Sequence, residues 1–282
     1  MTYGVSMGPE ADPERWRSER RLFRRGPDTS FRKLQSIKFL LTRDRAAVGR
    51  FLRARYPLGL GVRDRLSLVR SFIGVTNAVR GYHTLAELLT VSDRVLRLAG
   101  RPGLTVVEAG AGSGSSTAKL SLVTEIAGGR LIVFDTFRGI PENDEQHHLL
   151  DGRPLRFARG AFRGRLGAVR RRVARHGAIG VCEFRKGLFE ETLPQFDSLV
   201  DVALLDVDLL SSTRTCLRHL HPRLRTGGRI FSQDGHLRAT HELLADEAFW
   251  RGFVGHEPPR IHGLDEAKLL EIEASPPGRV DA

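Results

Sequence analysis

Residues 104–136 read LTVVEAGAGSGSSTAKLSLVTEIAGGRLIVFDT and carry the pattern that decides the fold. Two short apolar runs each end in an acid, Glu108 and Asp135. Between these runs lie a glycine-rich turn and a helix-like segment at about 115–126. Short apolar runs bounded by turn residues are typical of strands that are buried on both faces of a parallel sheet. The stretch therefore predicts a β-turn-α-β unit.

The glycine-rich turn has the features of a ligand-binding loop. Gly110, Gly112 and Gly114 stand at alternate positions, where they allow a sharp turn and let a ligand approach at points where a Cβ would clash. The helix that follows begins with unpaired N–H groups, and Ser115 and Ser116 are placed to cap it. This geometry favours a nucleoside-type cofactor.

The spacing of the glycines distinguishes between cofactors. A nicotinamide dinucleotide motif reads G-x-G-x-x-G, and counted from Gly110 its third glycine would fall on Ser115. The sequence reads E-x-G-x-G-x-G instead, a form that resembles the first motif of class I S-adenosylmethionine methyltransferases. Asp135, at the end of the second strand, is placed to accept both ribose hydroxyls. The alternative is a structural glycine-rich turn that binds no ligand.

Composition indicates an ordinary globular protein with an excess of positive charge. The 282 residues are 40% hydrophobic and 28% charged, which suffices for one large domain with an appendage. The formal net charge of +12 could attract nucleic acid, acidic lipid or an anionic substrate. We favour solvated or paired arginines, because they are scattered along the chain.

The cysteines and the apolar runs predict the cellular compartment of the protein. Cys182 and Cys216 form neither a metal-type spacing nor a disulfide framework, so we expect buried thiols in a reducing compartment. No apolar run is long enough to span a membrane, and the N-terminus lacks the apolar core of a signal peptide. We therefore expect a cytoplasmic protein.

The chain divides into three predicted regions. Residues 1–30 lack a sustained apolar period and predict a disordered basic arm, and residues 31–100 predict a helical cap or oligomerisation region. Residues 101–282 predict the cofactor-binding domain. The helices expected in the second region lie at 31–56, 63–77 and 84–98, with Thr84 as the cap of the last one.

Further elements follow the opening unit. The polar stretch 136–162 predicts a lid or binding loop, in which we expect His147 and His148 to be solvated. Ser211 or Ser212 is expected to cap a helix at 212–224. The remaining predicted elements are helices at 164–176 and 238–249, strands at 180–185, 200–205 and 229–232, and a terminal strand pair that includes 268–273.

Acidic residues follow several of the predicted strands. In open parallel sheets ligands bind at the carboxyl ends of the strands. That edge should gather Glu108, Asp135, Asp206, Asp208, Asp234 and His236. The last four could hold Mg²⁺, which prefers oxygen ligands, or Asp206 or His236 could remove a proton from an acceptor without metal. The alternative is that these side chains only cap the strand ends and contact solvent.

Six motifs between residues 81 and 273 resemble one family. In chain order they are GYHT, VVEAGAGSGSSTAKLS, FDTFRGIPE, KGLFEETLP, LLDVDLLSST and HPRLRTGGRIFSQDGH. Together they resemble the macrocin O-methyltransferase family of natural-product sugar methyltransferases. The resemblance implies an α/β, Rossmann-like methyltransferase fold: a mostly parallel central sheet with helices on both faces, plus an N-terminal helical extension. It also implies a homo-oligomer, for which the N-terminal helices are candidate interface elements.

The resemblance assigns roles to residues. It implies that S-adenosyl-L-methionine is the methyl donor and that the donor is held by Tyr82, Glu108, Gly110, Ala111, Gly112, Gly114, Ser115, Ser116, Asp135, Thr136, Phe137, Gly187 and Asp206. Family members bind Mg²⁺ through an acid after the fourth strand and a pair of acids after the fifth. Asp206 matches the first position and Asp234 one of the pair, but Gln233 replaces the other acid. Gln233 adds no charge, so the affinity for Mg²⁺ should be lower.

The sequence therefore predicts an S-adenosylmethionine-dependent methyltransferase that O-methylates a small hydroxylated natural product or sugar, with Asp206 and His236 as catalytic residues. Two alternatives stay open. The charge leaves room for a nucleic-acid methyltransferase, although the sequence contains no recognised RNA- or DNA-binding module. The Gln233–Asp234 pair leaves room for a homologue that binds the cofactor but has altered catalysis.

Overall fold

A computed structural model of the chain describes residues 44–264 and 267–274. The predicted basic arm at 1–30 and the first part of the helix expected from 31 lie outside the described residues. Within the described part, no helix is long and apolar enough to cross a membrane.

Eight α-helices and nine strands make up the described part of the chain. The helices are α1 (Arg45–Arg53), α2 (Val62–Ala78), α3 (Leu85–Arg97), α4 (Ser115–Ile126), α5 (Leu166–His176), α6 (Phe189–Thr192), α7 (Leu210–Leu220) and α8 (Arg238–Ala245). The strands are β1 (Thr105–Ala109), β2 (Arg130–Asp135), β3 (His147–His148), β4 (Pro154–Leu155), β5 (Cys182–Lys186), β6 (Val200–Leu205), β7 (Leu224–Ser232), β8 (Ile261–His262) and β9 (Leu270–Glu273).

The central sheet has the strand order β5-β2-β1-β6-β7-β9-β8. The first five strands in this order are parallel, and the sheet continues through β9, which is antiparallel both to β7 and to the edge strand β8. The strand order reverses at β1, whose neighbours are β2 on one side and β6 on the other. This reversal is the point where ligands bind in open α/β sheets. The topology confirms the predicted Rossmann-like fold.

The N-terminal helices share a hydrophobic core with one face of the sheet. Phe72 of α2 and Leu88 of α3 are fully buried in the same cluster as Val106 of β1 and Leu120 of α4. A second cluster, which includes Cys216 and Trp250, covers the opposite face. Both faces of the sheet are therefore packed, which explains why its strands read as continuous apolar runs.

The predicted cap of α3 is confirmed. Thr84 accepts a hydrogen bond at its side chain from the Glu87 N–H at 2.9 Å, and the Glu87 carboxylate accepts one from the Thr84 N–H at 2.6 Å. This reciprocal pair satisfies two N–H groups that the helix leaves unpaired. The capping box fixes the direction in which residues 81–83 enter the helix.

Two other predicted caps are wrong. Helix α4 is preceded by Gly114 in a left-handed conformation, and Ser115 and Ser116 lie inside its first turn without capping it. Helix α7 starts at Leu210, two residues earlier than expected, so Ser211 and Ser212 are also inside the helix. The cap of α7 comes from a distant segment and could not be read from local sequence. Strand β7 also starts earlier than expected, at Leu224, and an irregularity in its pairing with β6 between Leu224 and Arg229 includes Gly227 with φ +77°.

The stretch 136–162, called the insertion below, forms a small folded unit. It contains the antiparallel pair β3–β4 and a cluster of apolar side chains, in which Leu149 and Phe157 pack with Leu209 and Leu237 from outside the insertion. His147 is buried, since its ring packs edge-on against Phe157 with 5.2 Å between centroids. The expectation that both histidines are solvated is therefore wrong for His147, while His148 is exposed.

Candidate active site

A cavity of about 290 Å³ opens at the carboxyl ends of the central strands. Four of the segments that form its walls are far apart in sequence: residues 80–83 before α3, the glycine-rich loop after β1, the insertion, and the turn after β6. Residues 188–190, His236 and Lys268 also contribute to the lining. The cavity therefore lies at the reversal of strand order, where the sequence placed the ligand.

The structure distributes the predicted donor residues between the cavity wall and the layer behind it. Nine of the thirteen predicted donor residues line the cavity: Tyr82, Gly110, Ala111, Gly112, Ser115, Ser116, Asp135, Thr136 and Asp206. The other four, Glu108, Gly114, Phe137 and Gly187, are not among the lining residues. Glu108 is fully buried, and a Cβ on Gly114 would collide with the Val169 side chain of α5, so these two support the loop from behind.

Gly110 brings the two central strands into contact. It has φ +91°, and a Cβ at this position would collide with the backbone carbonyl of Asp206. The collision is with backbone, which cannot rotate away as a side chain could, so only glycine permits this approach. The end of β1 thereby lies directly against the turn that carries Asp206.

Asp135 ties the glycine-rich loop to the end of β2. Its carboxylate accepts hydrogen bonds from the N–H groups of Ala111 at 2.7 Å, Gly112 at 3.1 Å and Phe137 at 2.5 Å. Burial raises the pKa of the Asp135 carboxyl above its ordinary value, and these backbone N–H groups oppose the rise. Asp135 also lines the cavity, so it can order the loop and face a ligand at the same time.

Glu108 lies beneath the loop as a buried acid. The Thr117 hydroxyl in the first turn of α4 donates a hydrogen bond of 2.5 Å to its carboxylate. Burial raises the pKa of Glu108 to about 8, and the bonds from Ser116 and Thr117 oppose the rise. Because that value lies above neutral pH, Glu108 is mostly a neutral acid that joins β1 to α4.

Three carboxylates meet at the ends of β6 and β7. Asp206, Asp208 and Asp234 each offer one oxygen, and these three oxygens lie within 4.8 Å of one another. Asp234 is fully buried, and burial followed by the nearby charge of Asp206 raises its pKa to about 7. The strand-end pattern had grouped Asp208 with the possible Mg²⁺ ligands, whereas the family resemblance gave ligand roles only to Asp206 and Asp234. The D-x-D spacing at the end of β6 is the signal that groups it with Asp206.

Gln233 stands where the family pattern has an acid. It is 1% exposed, and neither its amide nitrogen nor its amide oxygen has a hydrogen-bond partner within the described residues. One carboxylate oxygen of the neighbouring Asp234, Oδ1, likewise has none there. Buried polar atoms of this kind are normally satisfied by water or a bound ligand. The position next to the three carboxylates is therefore suited to a hydrated group or an ion.

His83 is a cavity residue that the sequence reasoning did not assign. Its Nε2 lies 3.5 Å from Asp206 Oδ2, and its side chain is only 5% exposed. Burial lowers the pKa of His83, while the charges of Asp206 and Glu87 oppose the decrease. His83 is the third residue of the GYHT motif, in which Tyr82 had been given a role in donor binding and Thr84 a role as helix cap. The contact between His83 and Asp206 could be recognised only in the tertiary structure.

The other catalytic candidate, His236, lines the same cavity, and so does Lys268 from the segment before β9. The His236 backbone carbonyl accepts a hydrogen bond of 3.2 Å from the Leu150 N–H of the insertion. A bridge between Leu149 and Leu237 lies next to this bond. The insertion is therefore attached to the loop that carries His236, and it covers the carboxylate side of the cavity.

Comparisons with known proteins agree with this geometry. A family described as macrocin-O-methyltransferase (TylF) matches residues 74–247. A Streptomyces olivaceus protein, the 8-demethyl-8-(2,3-dimethoxy-alpha-L-rhamnosyl)-tetracenomycin-C 4'-O-methyltransferase, is 31% identical over 203 residues, which cover 70% of this chain and 76% of the relative.

Two solved structures show the same fold at low sequence identity. The O-methyltransferase NovP has a TM-score of 0.56 and 18% identity, covering 88% of this chain and 100% of its own. CalS11, a calicheamicin methyltransferase, has a TM-score of 0.53 and 16% identity, covering 88% and 93%. Because the family model matches residues 74–247, more than half of the chain, the chain belongs to the macrocin O-methyltransferase family. It is an S-adenosylmethionine-dependent O-methyltransferase.

Proposed function

We propose that this chain transfers the methyl group of S-adenosylmethionine to a hydroxyl oxygen on a sugar moiety of a small natural product. The observation that carries the proposal is the single cavity that joins the glycine-rich loop to the Asp206 turn, with Gly110 in direct contact with the Asp206 backbone. A donor on the loop and an acceptor on the turn would be neighbours. Such alignment supplies much of the rate enhancement of a displacement reaction.

The donor side of the cavity fits a nucleoside. The loop exposes backbone at Ala111 and Gly112, and the first turn of α4 presents Ser115 and Ser116 to the cavity. Asp135 stands at the end of β2, where an acid can accept the ribose hydroxyls. We assign the donor to these residues, with Glu108 as support from below.

The acceptor side fits a hydroxyl group that must lose a proton. Asp206 lines the cavity with its side chain 25% exposed, and His83 contacts the same carboxylate. The acceptor oxygen forms a bond to the methyl carbon as the carbon–sulfur bond breaks, and the hydroxyl proton passes to Asp206 as general base. The sulfur of the donor leaves as the neutral thioether, so charge and atoms balance.

The family resemblance implies Mg²⁺, and the carboxylate cluster fits a divalent cation. Asp206, Asp208 and Asp234 present converging oxygens, the ligand type that Mg²⁺ prefers. A cation bound there would polarise the acceptor hydroxyl, which is the alternative to a metal-free Asp206 that acts as the base. Gln233 contributes no charge, so we propose a weaker site than one with four carboxylates.

The proposal includes a cytoplasmic homo-oligomer. Cys182 and Cys216 are free thiols, which fits a reducing compartment. Leu58 and Val62, at the turn between α1 and α2, expose 49% and 57% of their surface, which supports this helical region as an interface. Light scattering coupled to size-exclusion chromatography would measure the number of subunits, and a monomer would contradict this part of the proposal.

The first experiment is calorimetric titration of S-adenosylmethionine and S-adenosylhomocysteine into the protein, once with Mg²⁺ and once with EDTA. We expect micromolar binding of both ligands under both conditions, because all the predicted donor residues except Asp206 lie outside the carboxylate cluster. Methyl transfer is then measured on a panel of aryl α-L-rhamnosides with different free hydroxyls, chosen because the tetracenomycin relative is named for a rhamnosyl acceptor. Absence of binding by either ligand would overturn the proposal.

A further inference from the structure

The turn after β6, residues 206–211, is held at both ends by carboxylates from other parts of the chain. At its beginning, Asp234 Oδ2 accepts hydrogen bonds from the N–H groups of Val207 at 3.3 Å and Asp208 at 3.2 Å. Asp234 belongs to the end of the neighbouring strand β7, so this hold comes from the sheet itself.

At the end of the turn the hydrogen bonds are made by a residue of the insertion. The Glu145 carboxylate accepts hydrogen bonds from the N–H groups of Leu210 at 2.7 Å and Ser211 at 3.1 Å, and from the Ser211 hydroxyl at 2.5 Å. These N–H groups open helix α7 and have no partner inside the helix. A carboxylate is favoured at this position because of the helix dipole. Glu145 therefore caps α7 from 65 residues away.

Asp208, which lies between the Asp234 contacts and the Glu145 contacts, has an uncommon backbone conformation. Asp208 has φ +62°, the left-handed region that residues other than glycine seldom adopt. Such a conformation is unfavourable for a residue with a side chain, and it persists where surrounding contacts enforce it. Asp208 is also one of the three carboxylates that meet at the cavity. Its placement thus depends on the contacts at both ends of the turn.

The insertion adds an apolar contact to the polar one. Leu209, which follows Asp208, is 2% exposed and packs in the cluster with Ile140, Leu149 and Phe157. His147 Nε2 lies 3.3 Å from Glu145 Oε2, the oxygen that accepts the hydrogen bond from Leu210. The donor loop is held by Asp135 and Glu108 within the β1–α4–β2 unit, and neither of these contacts involves Glu145.

We propose that Glu145 is a positioning residue for methyl transfer, which sets the Asp206–Asp208 turn by capping α7 from the insertion. The inference rests on the proposed function, since it concerns the acceptor side of the same cavity. Glu145 itself is not among the residues that line the cavity, so it acts through the turn. Loss of its carboxylate should impair the transfer step and leave the donor affinity unchanged.

The test compares Glu145→Ala and Glu145→Gln with the matched control Asp144→Asn. Asp144 is the exposed neighbour of Glu145 in the same insertion. We expect kcat on the rhamnoside that the wild type methylates to fall at least tenfold in Glu145→Ala. Glu145→Gln keeps one acceptor oxygen and should lie between the alanine variant and the wild type. The affinity for S-adenosylhomocysteine should stay within twofold in all three.

Amide hydrogen exchange provides a readout that does not need an acceptor. In Glu145→Ala the amides of Leu210 and Ser211 should exchange at least tenfold faster, because Glu145 is their hydrogen-bond partner. Unchanged exchange there, or a folded Glu145→Ala with wild-type kcat, would overturn the inference. If the wild type binds neither S-adenosylmethionine nor S-adenosylhomocysteine, the proposed function fails instead. Should Glu145→Ala not fold, Glu145→Gln is judged by the same two criteria.

Discussion

The donor side and the acceptor side of the cavity are built in different ways. The donor side comes mostly from the 33 residues of the opening stretch, 104–136, and its contacts join residues within that one stretch, such as Asp135 with Ala111 or Glu108 with Thr117. The acceptor side brings together the turn after β6, the end of β7 and the insertion. A site made of local contacts can be recognised from a motif. A site made of long-range contacts can be tuned for a new acceptor while the donor loop is left unchanged.

The largest effect that separates the two sides is expected for Asp206→Asn. The amide cannot take up the acceptor proton, and loss of a general base lowers rates by about a hundredfold or more. The substitution keeps the shape of the side chain, so S-adenosylhomocysteine should bind with nearly wild-type affinity. Initial rates and calorimetry on the same preparations test this, with Asp144→Asn as control. A variant that retains half of the wild-type kcat would remove Asp206 from the catalytic step.

The converse pattern is expected for Asp135→Ala. The variant loses three hydrogen bonds that hold the glycine-rich loop and Phe137. The affinity for S-adenosylmethionine should fall at least tenfold, which corresponds to about 1.4 kcal/mol. At saturating donor, kcat should change much less, because the acceptor side is intact. Calorimetric titration measures the affinity, and an unchanged dissociation constant would show that Asp135 is dispensable for the donor.

A pH dependence is expected from Glu108 on the donor side. The pKa of Glu108 is about 8 in the folded state, above the value near 4.5 of an exposed carboxyl, so the folded state binds a proton that the unfolded state has released. Stability should therefore fall as pH rises from about 4.5 through about 8, by at most about 1.4 kcal/mol per pH unit. Glu108→Gln cannot ionise and should lack this contribution.

Urea unfolding of wild type and Glu108→Gln at pH 6 and pH 9 measures the effect. The stability of the variant relative to the wild type should be more favourable at pH 9 than at pH 6. A relative stability that is the same at both values would mean that Glu108 does not carry the raised pKa.

The smallest expected effect concerns Gln233 on the acceptor side. Gln233→Asp adds a fourth carboxylate beside Asp206, Asp208 and Asp234, and it should tighten Mg²⁺ binding by roughly fivefold. Calorimetric titration with Mg²⁺ and measurement of methyl transfer at increasing EDTA would show the change. Mg²⁺ binding that is no tighter in this variant would separate Gln233 from the cation site. Donor affinity should be the same in both proteins.

Most of the architecture could be predicted from the sequence, because it depends on periodicity and turn residues. The helix predicted at 115–126 and the strand predicted at 200–205 match α4 and β6. The errors fall where a distant contact decides a local structure. Helix α7 starts early because Glu145 supplies its cap, and His147 is buried because Phe157 packs on its ring. Neither partner is adjacent in sequence, so no local pattern could reveal it.

The sequence by itself determined the Rossmann-like fold, the glycine-rich loop and the acids that end β1, β2 and β6. Each of these is encoded by residue type and spacing within a short stretch, and backbone sterics then permit few alternatives. Only the tertiary structure decided that His83 faces Asp206, that Glu145 holds the turn, and how closely the oxygens of Asp206, Asp208 and Asp234 approach one another. These contacts form when segments separated by tens to more than a hundred residues pack together. Their geometry is therefore set by the packing of the whole domain.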